Sequence, residues 1–312
     1  MALAIVATSL TGCAGEEFDA AQAAESEVEP LRLGRVHVLL EPESDLPYDE
    51  AADEYPDTLE VTARFAFVRG LEEDFVRALI DDVPVLATDV VAPQSCIASD
   101  QLGVDALDAP TAEFRELHLV DAGELRLQIG DGPEGTVEVP ATLPPDLLPY
   151  MTGFRYLYSG DQPSTLMDDG ETTVVVEARG SQTDELPPFH AEGFMPGPLA
   201  LHMTEVDLDE LSRGALVLRW EGADVEADEL LTLRFTGLQG SEPVGADVTC
   251  VVSDVGQVRL ALDNLRTLGL LTDAEGLRVT ASRLHTSLFD AGDFSGSELL
   301  VERREALTLT LR

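Results

Sequence analysis

The sequence predicts a mostly β protein of two antiparallel β-sandwich-like domains, with one short helix in the first. Three observations predict it. From Val36 onward the dominant period of hydrophobicity is two, as in strands with one buried face. One segment alone recurs at helical spacing, and the last hundred residues break into six short apolar runs separated by turn residues.

The elements follow in chain order. Met1–Leu10 is an apolar run long enough for the hydrophobic core of a signal peptide and too short to span a bilayer. Small residues follow at Thr11 and Gly12, then Cys13, and Leu10-Thr11-Gly12-Cys13 resembles the lipobox of bacterial lipoproteins. That resemblance implies that residues 1–12 are removed, that the Cys13 sulfur takes a diacylglycerol, and that the new amino terminus is acylated. Several chains on one residue anchor stably where one would be marginal. Ala14 stands where Asp would suggest inner-membrane retention in that family, which favours the outer membrane or cell surface. The stretch has no Lys or Arg before its apolar run, so a translation start upstream of Met1 is expected. The competing reading is an ordinary secretory peptide with a chance cysteine. Residues 13–30 are acidic, alanine-rich and end on Pro30, the composition of a disordered tether.

The first domain is expected over 31–197. In "TLEVTARFAFV", Leu59, Val61, Ala63, Phe65 and Phe67 alternate with polar or small residues, which reads as a half-buried strand. "LEEDFVRALIDD" places Leu71, Phe75 and Ala78/Leu79 on one helical face with acids in the first turn, predicting a helix over about 71–80. "ELRLQI" sets Leu125, Leu127 and Ile129 against Glu124, Arg126 and Gln128, and "TTVVVEA" after Asp168-Asp169-Gly170 reads as a hairpin. "ELPPFHAEGFMPGPLALH", rich in Pro and Gly, marks the boundary region. Residues 198–312 then carry "ALVLRW", "LLTLRF", "DVTCVV", "QVRLAL", "GLRVTASRL" and "ALTLTL", a spacing that suits an immunoglobulin-like sandwich. Trp220 falls in phase with Leu216 and Leu218 and is expected in the core.

Several of these segments are similar to those of a group of uncharacterised β-rich surface lipoproteins of Gram-negative bacteria. They are "FVRGLEEDFVRAL", "LHLVDAGELRLQ", "FRYLYSGDQPS", "LVLRWEGAD" and "VTCVVSDVGQVRL". The resemblance spans most of residues 60–285 and implies an architecture without implying a chemistry.

The surface is unusual. Sixty acids face 19 basic residues for a net charge of −41; every basic residue is arginine, and Asn264 is the single asparagine. Residues 213–312 hold 16 acids against 10 arginines, leaving 44 against 9 in residues 1–212. With no basic stripe to displace counterions, nucleic acid is excluded as a partner. Such a surface repels itself, attracts divalent cations and suits a salty medium.

Catalytic motifs are missing: there is no HExxH, GxSxG, phosphate-cradling glycine loop or CxxC pair, and the five histidines lie far apart. Two features could carry binding. Acidic turns at Asp168, Asp169 and Glu171 and at Asp207, Asp209 and Glu210 could supply oxygens to calcium, although neither has EF-hand spacing and a solvated turn explains both. Phe154, Tyr156 and Tyr158 share one strand face and could stack on sugar rings, or be core. His202 in "LALHMTEV" reads as a satisfied strand histidine rather than a ligand.

Two cysteines remain. Cys250 alternates in phase with Val248 and Val252, while Cys96 lies in the loop-like "APQSCIASD". An oxidising compartment would bridge thiols that meet. The phase of Cys250 weighs more, so separate cysteines are the expectation and a Cys96–Cys250 bridge the alternative. The functional expectation is an outer-membrane lipoprotein that binds or braces an envelope protein or polysaccharide and is not an enzyme. The alternative is a secreted or surface hydrolase whose active site no motif reveals.

Overall fold

The computed structural model describes residues 30–42, 57–69, 76, 91–99, 116–143, 151–161, 172–181, 183, 186–221 and 229–311. The described part is mostly β. In chain order its strands are β1 (Leu31–Pro42), β2 (Asp57–Arg69), β3 (Ser95–Ala98), β4 (Glu116–Leu119), β5 (Leu125–Ile129), β6 (Thr136–Val139), β7 (Ala141–Thr142), β8 (Met151–Gly153) and β9 (Arg155–Asp161). There follow β10 (Thr173–Ala178), β11 (Phe189–Phe194), β12 (Leu201–His202), helix α1 (Glu205–Ser212), β13 (Ala215–Trp220), β14 (Leu230–Gln239) and β15 (Glu242–Ser253). The chain closes with β16 (Gln257–Ala261), helix α2 (Leu262–Thr267), β17 (Gly276–Ala291) and β18 (Phe294–Thr310).

Eleven strands make one large sheet in the order β3-β15-β14-β17-β18-β1-β2-β4-β8, with β9 beside β2 and β7 beside β9. A four-stranded sheet runs β11-β10-β5-β6, and a three-stranded one β12-β13-β16. The hairpins β14–β15 and β17–β18 turn on Gly240-Ser241 and Gly292-Asp293. In each the glycine has φ 64°, the left-handed backbone that a two-residue hairpin requires at its first position. A Cβ on Gly292 would also lie 2.7 Å from the Pro187 ring, so that turn is fixed by packing as well as by conformation.

Two apolar clusters lie on the large sheet. One joins Val36, Val38 and Leu40 of β1 and Leu59, Val61, Ala63 and Phe65 of β2 to the inner faces of β5, β10 and β11. The other joins β14, β15 and the first half of β17 to Leu216, Leu218 and Trp220 of β13 and to Leu262 and Leu265 of α2. Strands β17 and β18 serve both: Leu277, Val279 and Ala281 belong to the second cluster, Phe289, Phe294, Leu299 and Val301 to the first. The division expected at 197/198 therefore has no counterpart in sheet membership, since the last strands also build the first cluster and β3 closes the far edge beside β15.

Several expectations are corrected. Pairing is not wholly antiparallel: β1 runs parallel to β18, and β4 to β8. Strand β2 is not half-buried along its length, because Ala63 through Ala66 are all buried and Arg64 is among them. The valine run of β10 does not form a hairpin with β9; it pairs with β5 and β11, while β9 pairs with β2. Helix α1 occupies a segment read as an acidic turn, and α2 follows β16 where the strand pattern "QVRLAL" reaches Leu262. The helix expected over 71–80 is described at Val76 alone, which is helical and packs with Leu33, Val68, Leu117 and Leu119; the rest of it lies outside the described residues.

Candidate functional site

Polar groups meet inside the molecule where β17 passes from one cluster to the other. Arg283 continues the strand face of Leu277, Val279 and Ala281, so the alternation drives an arginine into the interior. Its five donors are all used. Nε and Nη2 donate to the two carboxylate oxygens of Asp254 at 2.5 and 3.1 Å, Nη1 to the carbonyls of Gly197 and Pro198, and Nη2 to that of Glu221 at 3.2 Å. Trp220 Nε1 donates to the same carboxylate at 2.5 Å. Asp254 is 1% exposed and lies in the turn between β15 and β16, so the ion pair fastens β17 to that turn, while the bonds to Gly197 and Pro198 tie it to the segment that crosses between the two smaller sheets. It is a structural joint.

A second network lies on the opposite face of the large sheet. Glu302 of β18 accepts from His37 Nε2 at 2.8 Å, from Ser282 Oγ at 2.5 Å, and from Arg304 Nε and Nη2 at 2.7 and 3.1 Å. Burial works against the Glu302 charge, but the bonds from His37 and Arg304 outweigh it and hold the carboxyl at about 2. These residues are serine, glutamate and histidine in the wrong order for nucleophilic catalysis. A triad places histidine between hydroxyl and carboxylate; here the carboxylate sits between Ser282 and His37, so the hydroxyl donates to Glu302 and the imidazole is bonded to Glu302 rather than to the serine oxygen. Arg35 pairs with Glu298 on the same face and reinforces the parallel β1–β18 seam.

The remaining candidate is a groove of about 330 Å³ at the ends of β5, β10 and β11. Glu124, Arg126, Glu177 and Arg179 surround Pro188 and Phe189. Glu124 bridges both arginines, with Arg179 Nη1 2.5 Å away, and Arg126 also reaches Glu138 at 3.5 Å. The groove offers paired charges of both signs above an apolar floor, the chemistry of a shallow binding surface.

The residues singled out from sequence fall as follows. Cys13, Asp168, Asp169 and Glu171 lie outside the described residues. Asp207 is a helix-capping carboxylate: it accepts from Thr204 N at 2.9 Å, while Thr204 Oγ1 accepts from Asp207 N at 3.3 Å, closing a capping box. Arg219 donates to it twice, at 2.9 and 3.2 Å. The Arg219 bonds, aided by those of Thr204, hold its carboxyl well below the usual aspartate range against the cost of burial. Glu210 pairs with Arg213 and Arg259, and Asp209 is exposed on the outer side of the helix. Asp207 and Glu210 are engaged by arginines, and no cluster able to hold a metal occurs among the described residues.

The aromatic row is not a row on the surface. Tyr156 is 1% exposed, Tyr158 packs against the first cluster and Phe154 is half-buried. Tyr156 Oη donates to Asp121 Oδ1 at 2.7 Å and accepts from Ala122 N at 2.8 Å, tying the turn before β5 to β9. His202 is an exposed residue of β12, its Nδ1 3.4 Å from the Ala200 carbonyl.

Cys96 and Cys250 are disulfide-bonded, with Cα atoms 4.0 Å apart and directly opposed in the β3–β15 register. Cys250 is fully buried, as its phase requires. Burial and bridging coexist because β3 lies alongside β15 and presents Cys96 to the same core face. No helix among the described residues is long and apolar enough to cross a membrane. Compared with known proteins, the chain matches no family model, no curated protein and no solved structure.

Proposed function

We propose that the chain is an exported lipoprotein, anchored through Cys13 to the outer membrane or cell surface, whose folded body binds or braces an envelope protein or polysaccharide. The observation that carries the reading is the Cys96–Cys250 bond, because buried structural disulfides belong to oxidising compartments and the lipobox-like Leu10–Cys13 leads to one. Its likeness to β-rich surface lipoproteins supports the same location. The two apolar clusters are read as two sandwich-like lobes sharing one sheet, with strand faces and the groove beside Arg126 and Arg179 as the contact surfaces. A hydrolase has less support: among the described residues, the buried His37 bonds Glu302 through Nε2 and no bond joins it to a hydroxyl.

The test is fractionation combined with capture. Cys13→Ser releases the protein from the outer-membrane fraction and leaves it unprocessed. An Arg126→Ala/Arg179→Ala variant, still anchored, loses the envelope component that the native protein captures from solubilised envelope. Retention of the Cys13→Ser variant in the membrane refutes the anchor; undiminished capture by the arginine variant refutes the groove.

A further inference from the structure

The groove at the ends of β5, β10 and β11 carries a charge pattern that its own ion pairs leave incomplete. Glu124 and Arg126 stand two residues apart on one segment, Glu177 and Arg179 two apart on the next. Arg126 is opposite Glu177 in the β5–β10 register, and Arg179 N donates to the Glu124 carbonyl at 3.0 Å, which sets those two residues side by side. The four corners therefore alternate in sign. They are not equally engaged. Glu124 takes both arginines. Glu177, 65% exposed, meets neither, and among the described residues its one contact is His190 Nδ1 at 3.6 Å. Arg179 is 67% exposed and reaches Glu124 through Nη1, which leaves guanidinium donors for a second acceptor. The setting is also rigid. Phe189 in the floor stacks on Phe289 at 5.1 Å and lies 5.2 Å from Phe65. The turn after Arg179 runs through Gly180 at φ 77°, where a Cβ would lie 2.6 Å from the Leu186 carbonyl oxygen. A site held this way spends little binding energy on being ordered.

We propose that this groove binds a short peptide with both ends free, its ammonium on Glu177, its carboxylate on Arg179, and an apolar side chain against Pro188 and Phe189. The proposal rests on the reading of the groove as a contact surface and names what makes contact. Charge selects the ligand class. An anion is repelled by a chain of net charge −41 and by both glutamates, while a simple cation drawn to Glu177 meets two arginines. A zwitterion without net charge answers both corners. Spacing selects the length. Positions two apart on a strand are about 6.6 Å apart. An extended dipeptide spans at most about 7 Å, and a single amino acid about half of that. The groove volume of about 330 Å³ lies at the small end of ligand sites, as a dipeptide needs.

The experiment titrates the full chain with alanyl-phenylalanine by calorimetry, beside its N-acetylated and C-amidated forms at equal ionic strength. The expected result is saturable one-to-one binding at millimolar peptide that weakens about tenfold or more on acetylation, and again on amidation. Glu177→Gln erases the difference between free and acetylated peptide, and Arg179→Ala the difference between free and amidated peptide. Both side chains are more than half exposed, and an unchanged Tm shows that the fold is kept. Absence of saturable binding, or equal binding of the acetylated or amidated form, overturns the proposal. Loss of envelope capture by Arg126→Ala/Arg179→Ala without peptide binding by the native chain sinks the ligand and spares the groove. Peptide binding with undiminished capture does the reverse.

Discussion

Replacing Arg283 by methionine is the most demanding perturbation of the fold. The side chain keeps an unbranched apolar stem and loses the guanidinium with its five donors, and what it leaves behind sets the magnitude. Asp254 stays 1% exposed with Trp220 Nε1 as its remaining bond, and three backbone carbonyls lose their partner. Stranding one member of a buried ion pair costs about 3–5 kcal/mol. For a chain of this size that corresponds to a fall in Tm of roughly 6–20 °C. Urea denaturation of Arg283→Met reads the loss directly. The control is Arg283→Met/Asp254→Leu, which removes the stranded carboxylate and recovers at least half of it, because apolar replacement of both partners is close to neutral. Arg283→Lys does not rescue, since a single ammonium cannot serve acceptors on Asp254, Gly197, Pro198 and Glu221 at once. A loss below about 1 kcal/mol in the single variant, or a double variant no more stable than the single, refutes the joint.

Acid supplies the next test. The Glu302 carboxyl is lowered from an ordinary value near 4.5 to about 2, so its contribution is complete above 4.5 and is lost as pH falls through 2; an acid titration of stability shows a decline across that window that Glu302→Gln flattens. Tyr156→Phe deletes the hydroxyl that bonds Asp121 and Ala122 and costs about 1–2 kcal/mol, measured by urea denaturation, with its ring packing intact. High salt raises Tm by screening the −41 charge. Asp209→Asn leaves the response of Tm to calcium unchanged, because Asp207 and Glu210 are engaged by arginines.

What was legible in the sequence is what depends on local alternation. Runs such as "ALVLRW" and "ELRLQI" announce β13 and β5 because each residue's side is set by its neighbours two positions away. Partnership is not local and leaves no such mark. Nothing in "LRLGRVHVLLEP" says that β1 will pair in parallel with a strand more than two hundred residues later, and nothing in "SCIA" says that it will lie beside Val248–Val251. The disulfide is hidden from the sequence for that reason, since the buried phase of Cys250 excludes a partner only if no strand brings a second cysteine to the same face. Arg283 is the instructive middle case. Its position in phase with Leu277, Val279 and Ala281 already demanded a buried counter-charge, while the identity of Asp254 required the fold. Helix α1 hid behind its acids: Thr204 followed by Asp207 is a capping pattern that reads equally as a solvated turn.

Mass spectrometry of the amino terminus of the mature protein, purified from the outer-membrane fraction, tests the proposed function most directly. A chain that begins at Cys13 and carries a diacylglyceryl group on its sulfur and an acyl group on its nitrogen is the predicted result. An unmodified Cys13 lying within a longer mature chain contradicts it.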